Sequence, residues 1–428
     1  MRQESVMLSP LALPAISTRP RWSERWLRRA VFGRLEKLAR GCVTVVDAEG
    51  AREFGRASPD YPLRATVTVH DFNAYRLLAL RGSIGVGEGY MAGEWSCDDL
   101  PALVRIFALN QDALLGLEHG LTRLMMPLFK LLYARRDNSR RGSRANIAAH
   151  YDLGNEFYRL FLDDTLMYSS AIFPTPDTDL RAASVAKLDR ICRKLELKPD
   201  DHLLEIGSGW GGFALHAAQR YGCRVTTTTI SQEQYQLARE RVREAGLEDR
   251  VTVLCQDYRD VRGSFDKLVS IEMIEAVGER HLSAYFRACA RLLKPHGMML
   301  LQAITVADQK YRQYRNEVDF IRHYIFPGGF LPSLTAIAER VGRVTDLRIF
   351  HLEDIGAHYA TTLRHWRARF LTNLEQVRAL GFPEPFIRMW EYYLCYCEGG
   401  FRERAIGTVQ LLLTKPLCRR EPLTPALG

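Results

Sequence analysis

No run in this 428-residue chain approaches the roughly 18 uncharged apolar residues that a helix needs to cross a bilayer, so nothing in it reads as a membrane span. Nine cysteines are present, but they form no C-x-x-C pair and no Cys/His spacing of the metal-binding kind. That excludes a disulfide framework and a zinc site, leaves no metal in the reading, and points to a reducing compartment. The first 17 residues carry Glu4, Pro10 and Pro14 where a secretory leader needs a basic start and an unbroken apolar core, so no export signal is read. Internal repeats and low-complexity tracts are missing. So is the Asn/Asp-Pro-Pro-Tyr/Phe type of base-reading motif, which sets nucleic acid last among anionic partners.

At 48.9 kDa the chain is two to three times a usual domain, and two domains are expected. Hydrophobic content of 47% and charged content of 25% are ordinary globular values and exclude wholesale disorder. Lys+Arg 59 against Asp+Glu 50 gives a net charge of +9, a surplus that favours an anionic partner. Residues 1–40 hold nine basic and three acidic residues, and Leu27, Val31, Leu35 and Leu38 recur at helical spacing beside Arg25, Arg28, Arg29 and Arg34. This is a basic amphipathic helix, suited to a membrane surface or to a small core of its own. Val43–Val46 and Ala65–Val69 read as strands. The four glycines of Gly82-Ser83-Ile84-Gly85-Val86-Gly87-Glu88-Gly89 are too dense for a helix interior and read as a tight loop or a close-approach surface. Leu121–Tyr133 is apolar, and Arg135, Arg136, Arg140, Arg141 and Arg144 follow it, a pairing that suits an anionic lipid surface. The expected division is residues 1–134 as a lipid-handling and membrane-contact domain, 135–146 as a basic linker, 147–417 as the catalytic domain and 418–428 as a tail.

The second part alternates strands (His202–Ile206, Arg224–Ile230, Val251–Leu254, Phe265–Ile271, Met298–Ile304) with helices, the pattern of a doubly wound parallel α/β sheet. Ser231-x-x-Gln234 reads as a helix cap, with Gly246 as the stop. The strongest local signal is Leu203-Leu204-Glu205-Ile206-Gly207-Ser208-Gly209-Trp210-Gly211-Gly212-Phe213, an apolar strand entering a glycine turn and then a helix. Such a turn lets backbone approach a ligand closely and offers free N–H groups. Gly207, Gly209 and Gly212 satisfy G-x-G-x-x-G, so a dinucleotide dehydrogenase has to be weighed. The next strand, however, ends in Thr226–Thr229 with no acid to hold a ribose hydroxyl. Glu205, two residues before the turn, stands where S-adenosylmethionine-dependent methyltransferases place an acid for the cofactor's ammonium group.

Seven motifs in order narrow the reading: His150-Tyr151-Asp152-Leu153-Gly154-Asn155-Glu156-Phe157-Tyr158, Met167-Tyr168-Ser169-Ser170-Ala171, the glycine turn, Thr229-Ile230-Ser231-x-x-Gln234, Gln256-Asp257-Tyr258-Arg259-Asp260, Glu272-Met273-Ile274-Glu275-Ala276-Val277-Gly278 and Tyr324-Ile325-Phe326-Pro327-Gly328-Gly329. Together, over residues 145–415, they resemble the cyclopropane-fatty-acyl-phospholipid synthase family. The resemblance implies a Rossmann-like class I methyltransferase domain behind a smaller N-terminal α+β domain. It implies methyl(ene) transfer from S-adenosylmethionine to the cis double bond of an unsaturated phospholipid chain, through a carbocation deprotonated by bound bicarbonate. Bicarbonate would be caged by Ser170, Glu275, Gln302, the backbone of Ile304, and Tyr324. The cofactor would be held by Tyr168, Ser169, Glu205, Gly207, Ser208, Gly209, Trp210, Gly211, Thr229, Ser231, Gln234, Tyr258 and Arg259.

From the residues themselves, Glu275 is the first candidate for chemistry, because a carboxylate inside Met273-Ile274-Glu275-Ala276-Val277 is costly unless hydrogen-bonded. Tyr158, Tyr168, Tyr324, Phe326 and Tyr393 could line a cation-stabilising slot or be plain core. Cys397 matches a cysteine long suspected in the family, but reads as a small thiol along the acyl slot. Some relatives carry cysteine at the place of Ser170 and histidine at that of Gln302, which leaves the product open: a ring, or a methyl-branched or methylene chain. An inactive cofactor-binding membrane adaptor is the non-enzyme alternative. The expected location is cytoplasmic, peripheral at the inner face of the membrane; a homodimer stays open.

Overall fold

The computed structural model describes residues 22–111, 142 and 153–423. The apolar stretch 121–133, the arginine cluster 135–144 and the His150-Tyr151-Asp152 end of the first motif lie outside them. Two compact units emerge, one built from the early residues together with Gly381–Gly399, the other from the rest.

In the first unit, helix α1 (Trp22–Leu35) buries Val31, Phe32 and Leu35, and its positive charge is partly internal: Arg28 donates to Asp47 at 2.6 Å. Strands β1 (Gly41–Asp47), β2 (Gly50–Arg56), β3 (Arg64–Val69) and β4 (Trp95–Cys97) form a mixed sheet in the order β2-β1-β3-β4. The glycine-dense run is a finding against the loop expectation, because it belongs to helix α2 (Asn73–Met91), kinked at Gly82 where φ is 56°. Close approach is what its glycines serve. A Cβ on Gly85 would stand 2.1 Å from the Leu77 carbonyl oxygen, and one on Gly89 would stand 3.1 Å from the Trp95 ring. Helix α3 (Leu100–Leu109) is capped by Asp99. The helix Glu384–Arg402 gives most of its length to this unit, setting Tyr392 5.7 Å from the Tyr90 ring, while Glu391 accepts from the Tyr90 hydroxyl at 2.9 Å.

The second unit holds a seven-stranded sheet ordered β10-β11-β9-β8-β5-β6-β7. Its strands are β5 (His202–Ile206), β6 (Arg224–Thr229), β7 (Val251–Cys255), β8 (Phe265–Ile271), β9 (Leu293–Val306), β10 (Arg348–Asp354) and β11 (Ile406–Thr414). Neighbours from β7 to β9 are parallel, and β11 runs antiparallel to both β9 and β10. The parallel strands fall where the alternating pattern placed them, in the doubly wound, Rossmann-like arrangement expected. The pattern did not reveal β10 and β11. Helices α4 (Leu180–Lys194), α5 (Gly212–Tyr221), α6 (Gln232–Glu244), α7 (Leu282–Leu292), α8 (Leu334–Val344) and α9 (Gly356–Thr372) accompany the sheet, whose two sides bury separate apolar clusters, one around Phe286 and Leu301, the other around Phe213 and Leu300. Strand order reverses between β5 and β8, so the carboxyl ends of these two strands open the crevice in which α/β sheets of this kind take ligands.

Candidate active site

At the end of β5 the backbone turns through Gly207, Gly209 and Gly211 with φ of 94°, 49° and 84°, values in the left-handed region that only glycine adopts freely. Gly207 and Ser208 donate their N–H groups to the Thr228 carbonyl at 3.0 Å, fixing the turn to β6. A Cβ on Gly209 would meet nothing within 4 Å, so the glycine there serves a bare surface rather than a crowded one. Trp210 turns inward, its indole N–H on Asn155 at 2.7 Å and its ring 4.8 Å from Tyr158. Arg241 of α6 latches the outer side, donating to the carbonyls of Trp210, Asp164 and Thr165.

Around this turn stand the other expected cofactor residues. Glu205 is buried on β5, and its Oε2 accepts from the Thr227 hydroxyl at 2.6 Å. Burial pushes its pKa up to about 8, against the pull of Thr227 and of the Lys187 ammonium. Thr229 donates to Gln234 Oε1 at 2.8 Å, and the Ser231 hydroxyl accepts the Gln234 N–H, so Ser231 caps α6 as read. Arg259 grips Asp257 through two side-chain bonds of 2.8 and 2.6 Å, and Tyr258 lies edge-on to Tyr285 at 5.6 Å. S-adenosylmethionine fits these residues. The bare glycine turn can receive its backbone contacts, and an ammonium group is what would hold buried Glu205 ionised.

Facing the turn, Tyr168, Ser169 and Ser170 follow one another. The Tyr168 ring is surrounded by Tyr158 at 5.4 Å, Trp366 at 5.3 Å, Phe161 at 6.1 Å and Phe326 at 6.4 Å. Ser169 accepts from Lys187 Nζ at 2.9 Å. Lys187, buried on α4, was not anticipated; burial lowers its pKa to about 8, against the charges of Glu272, Asp163 and Glu205.

At the carboxyl end of β8 stand the carboxyl groups of two half-buried residues, three apart in the chain. Glu275 Oε1 accepts the Ile304 N–H at 2.6 Å, and Glu275 Oε2, shielded from solvent, has no hydrogen-bond partner among the described residues. Burial first, and then the charge of Glu272, push the Glu275 pKa up to about 8. Glu272, which the sequence reading passed over, accepts the Ser170 N–H at 2.9 Å, Gln302 Nε2 at 2.8 Å and the Tyr359 hydroxyl at 2.7 Å. Burial raises its pKa while these three donors oppose the shift. The Ser170 hydroxyl turns to the Ala171 carbonyl. Gln302 in turn accepts from Gln410, and Gln410 from Lys194.

The structure therefore brings Ser170, Gln302, Ile304 and Glu275 together, with Glu272 among them. Of the groups the resemblance implied for bicarbonate, Gln302 Nε2 donates to Glu272, the Ile304 N–H to Glu275 and the Ser170 hydroxyl to the Ala171 carbonyl, so these three donors as they stand do not fit an added anion. Tyr324 sits on a single π-turn (Ile321–Ile325), its ring against Phe320 at 5.2 Å and His323 at 4.6 Å. Cys397 and Tyr393 belong to the first unit, on the helix Glu384–Arg402.

Residues 138–411 match the family model for mycolic acid cyclopropane synthetase. A tuberculostearic acid methyltransferase of Mycobacterium tuberculosis is 42% identical over 369 residues, 84% of this chain and 85% of that protein. The cyclopropane-fatty-acyl-phospholipid synthase of Escherichia coli is 38% identical over 82% of this chain and 88% of its own. A mycolic acid cyclopropane synthase crystallised with SAH and CTAB superposes with a TM-score of 0.60 at 32% identity, covering 64% of this chain and 98% of that one.

Proposed function

The chain belongs to the mycolic acid cyclopropane synthetase family and is an S-adenosylmethionine-dependent methyltransferase; from that premise we propose that it closes a cyclopropane ring on the cis double bond of an unsaturated phospholipid acyl chain. What supports the reading is the make-up of the site, a wall of aromatic rings around Tyr168 beside two buried carboxyl groups. Such a surface suits an apolar acceptor that becomes cationic in passing.

The bound cofactor supplies an electrophilic sulfonium methyl. An alkene is a poor nucleophile, so the chain's main contribution is to align it in a dry slot. The faces of Tyr168 and Trp366 then stabilise the positive charge left on the acyl chain, by about 0.5–2 kcal/mol per well-placed ring. Ring closure needs a base, and the carboxyl groups of Glu272 and Glu275 are at hand for it. A second reading, methyl transfer leaving a methyl-branched or methylene chain, is favoured by one observation: the relative at 42% identity is named a tuberculostearic acid methyltransferase.

The lipid is reached from a membrane surface on this reading. Trp22 and Trp26, 83% and 58% exposed, stand one turn apart on α1 beside exposed Arg25 and Arg29, an interfacial pairing of aromatic and basic groups. Among the described residues no helix is long and apolar enough to cross a membrane. The test is incubation of the protein with labelled S-adenosylmethionine and liposomes of cis-unsaturated phospholipid, followed by acyl-chain analysis. A gain of CH₂ with loss of the alkene is expected. Cofactor binding with no label in any lipid would move the protein to another acceptor or to the adaptor reading.

A further inference from the structure

We propose that Glu272 is the resident anion of this site: its carboxylate takes the place that bicarbonate would need and accepts the proton released on ring closure. This rests on the ring-forming reading above.

A buried hydrogen-bond string runs from Lys194 to Glu272. Lys194 carries only donors, and its Nζ lies 2.9 Å from Gln410 Oε1. Gln410 must therefore present its Nε2 to Gln302 Oε1, at 3.0 Å, and Gln302 must present its own Nε2 to Glu272 Oε1, at 2.8 Å. Both amide orientations follow from the ammonium at one end, so the string has to terminate on an acceptor. Glu353, 2.6 Å from Lys194, holds that ammonium in place. Two more donors converge on the same carboxylate from other elements, the Ser170 N–H on Oε1 and the Tyr359 hydroxyl of α9 on Oε2. Buried Lys187 adds a favourable charge. Backbone N–H, amide and phenol groups arranged in this way form an oxyanion cage, and here the anion is covalently part of the chain.

A second observation is independent of the string. The φ of Glu272 is 48°, in the region where a side chain is disfavoured and glycine is the ordinary resident. Strained residues of this kind persist where the surroundings over-determine them, typically at sites of function. Glu275 completes the arrangement. Its Oε1 is taken by the Ile304 N–H, and its buried Oε2 has no hydrogen-bond partner among the described residues, so a second carboxyl oxygen stands open in the same site. The two carboxyl groups differ in what surrounds them: three donors and the Lys187 charge favour the Glu272 carboxylate against the burial that raises its pKa, whereas burial and the charge of Glu272 both push the Glu275 pKa up.

In the step itself, the electrons of one C–H bond of the transferred methyl form the second ring C–C bond to the cationic carbon. The proton of that bond passes to Glu272. The product is a neutral ring and a protonated carboxyl group, which returns its proton to solvent after the lipid leaves.

The experiment uses the full chain in buffer freed of dissolved carbon dioxide, with and without added bicarbonate, and reads ring product together with the ¹³C line width of labelled bicarbonate. Wild-type turnover is expected to be unchanged by bicarbonate, and the line to stay narrow. Glu272→Gly suits the local backbone and opens the anion place. Its turnover should fall by about 10²–10⁴-fold, recover in part with bicarbonate, and broaden the ¹³C line. Glu272→Gln should lose turnover without rescue, and cofactor binding by both variants checks that they fold. Loss of wild-type turnover on removing carbon dioxide, restored by bicarbonate, would overturn the proposal, as would a broadened ¹³C line with the wild type. If the wild type makes no ring product but binds cofactor, the functional reading has failed, and the line width still decides whether Glu272 fills the place.

Discussion

Replacing Glu275 by glutamine separates chemistry from stability at one atom. The amide oxygen can keep the 2.6 Å bond from the Ile304 N–H, and the amide nitrogen fills the place of Oε2, so shape and cofactor site are preserved. What is lost is the second of the two carboxyl groups at hand for ring closure. Turnover should fall by about 10²–10⁴-fold, equivalent to roughly 2.7–5.4 kcal/mol of barrier, with cofactor affinity unchanged. Stability should move the other way. The pKa of Glu275 is raised from 4.5 to about 8, so the folded state keeps a proton that the unfolded chain releases. A raised folded pKa contributes no handicap below about pH 4.5; the handicap grows as pH rises and is complete above about pH 8. At 1.36 kcal/mol per tenfold it reaches on the order of 4–5 kcal/mol. Glutamine carries no such handicap. The assay is thermal unfolding of wild type and variant at pH 5, 7 and 9, beside turnover at neutral pH. The variant's lead in Tm should widen steadily with pH. A gap that does not change with pH, or turnover close to wild type, would refute the placement of a buried, proton-holding carboxyl group at this position.

Gly209→Ala places a Cβ on a left-handed backbone and into open space above the turn; a backbone cost of about 1–2 kcal/mol should appear as cofactor binding weakened by about tenfold in a calorimetric isotherm. Gln410→Leu removes the donor that orients Gln302, and kcat should fall by about tenfold, the worth of one buried hydrogen bond, with cofactor affinity unchanged. Trp22→Ala and Trp26→Ala, at exposed positions of α1, should each weaken sedimentation with anionic vesicles by about tenfold while leaving thermal stability alone.

Features set by a few adjacent residues were legible before the fold was known. The glycine turn, the Ser231 cap and the parallel strands each depend on neighbours within one turn or one strand. Glycine density was half legible where the cause was distant. Gly82–Gly89 reads as a tight loop or a close-approach surface, and the second holds: the Leu77 carbonyl and the Trp95 ring press on Gly85 and Gly89 of a kinked helix. The occupant of the anion cage was hidden for a similar reason. Glu272 was visible as an acid closing a buried strand three residues before Glu275, which was the available signal. Its role became apparent only with partners from far along the chain: Ser170 is 102 residues away, Gln302 meets Gln410 across 108 residues, and Gln410 meets Lys194 across 216. No local pattern carries such pairings.

The most direct test of the account is the deuterium count in the product. S-adenosylmethionine carrying a CD₃ group is supplied with liposomes of cis-unsaturated phospholipid, and the acyl chains are examined by mass spectrometry and NMR. The expected product is an acyl chain that has gained one carbon bearing two deuterons, with its double bond replaced by a ring. Retention of all three deuterons, survival of a double bond, or no label in the acyl chains would contradict it.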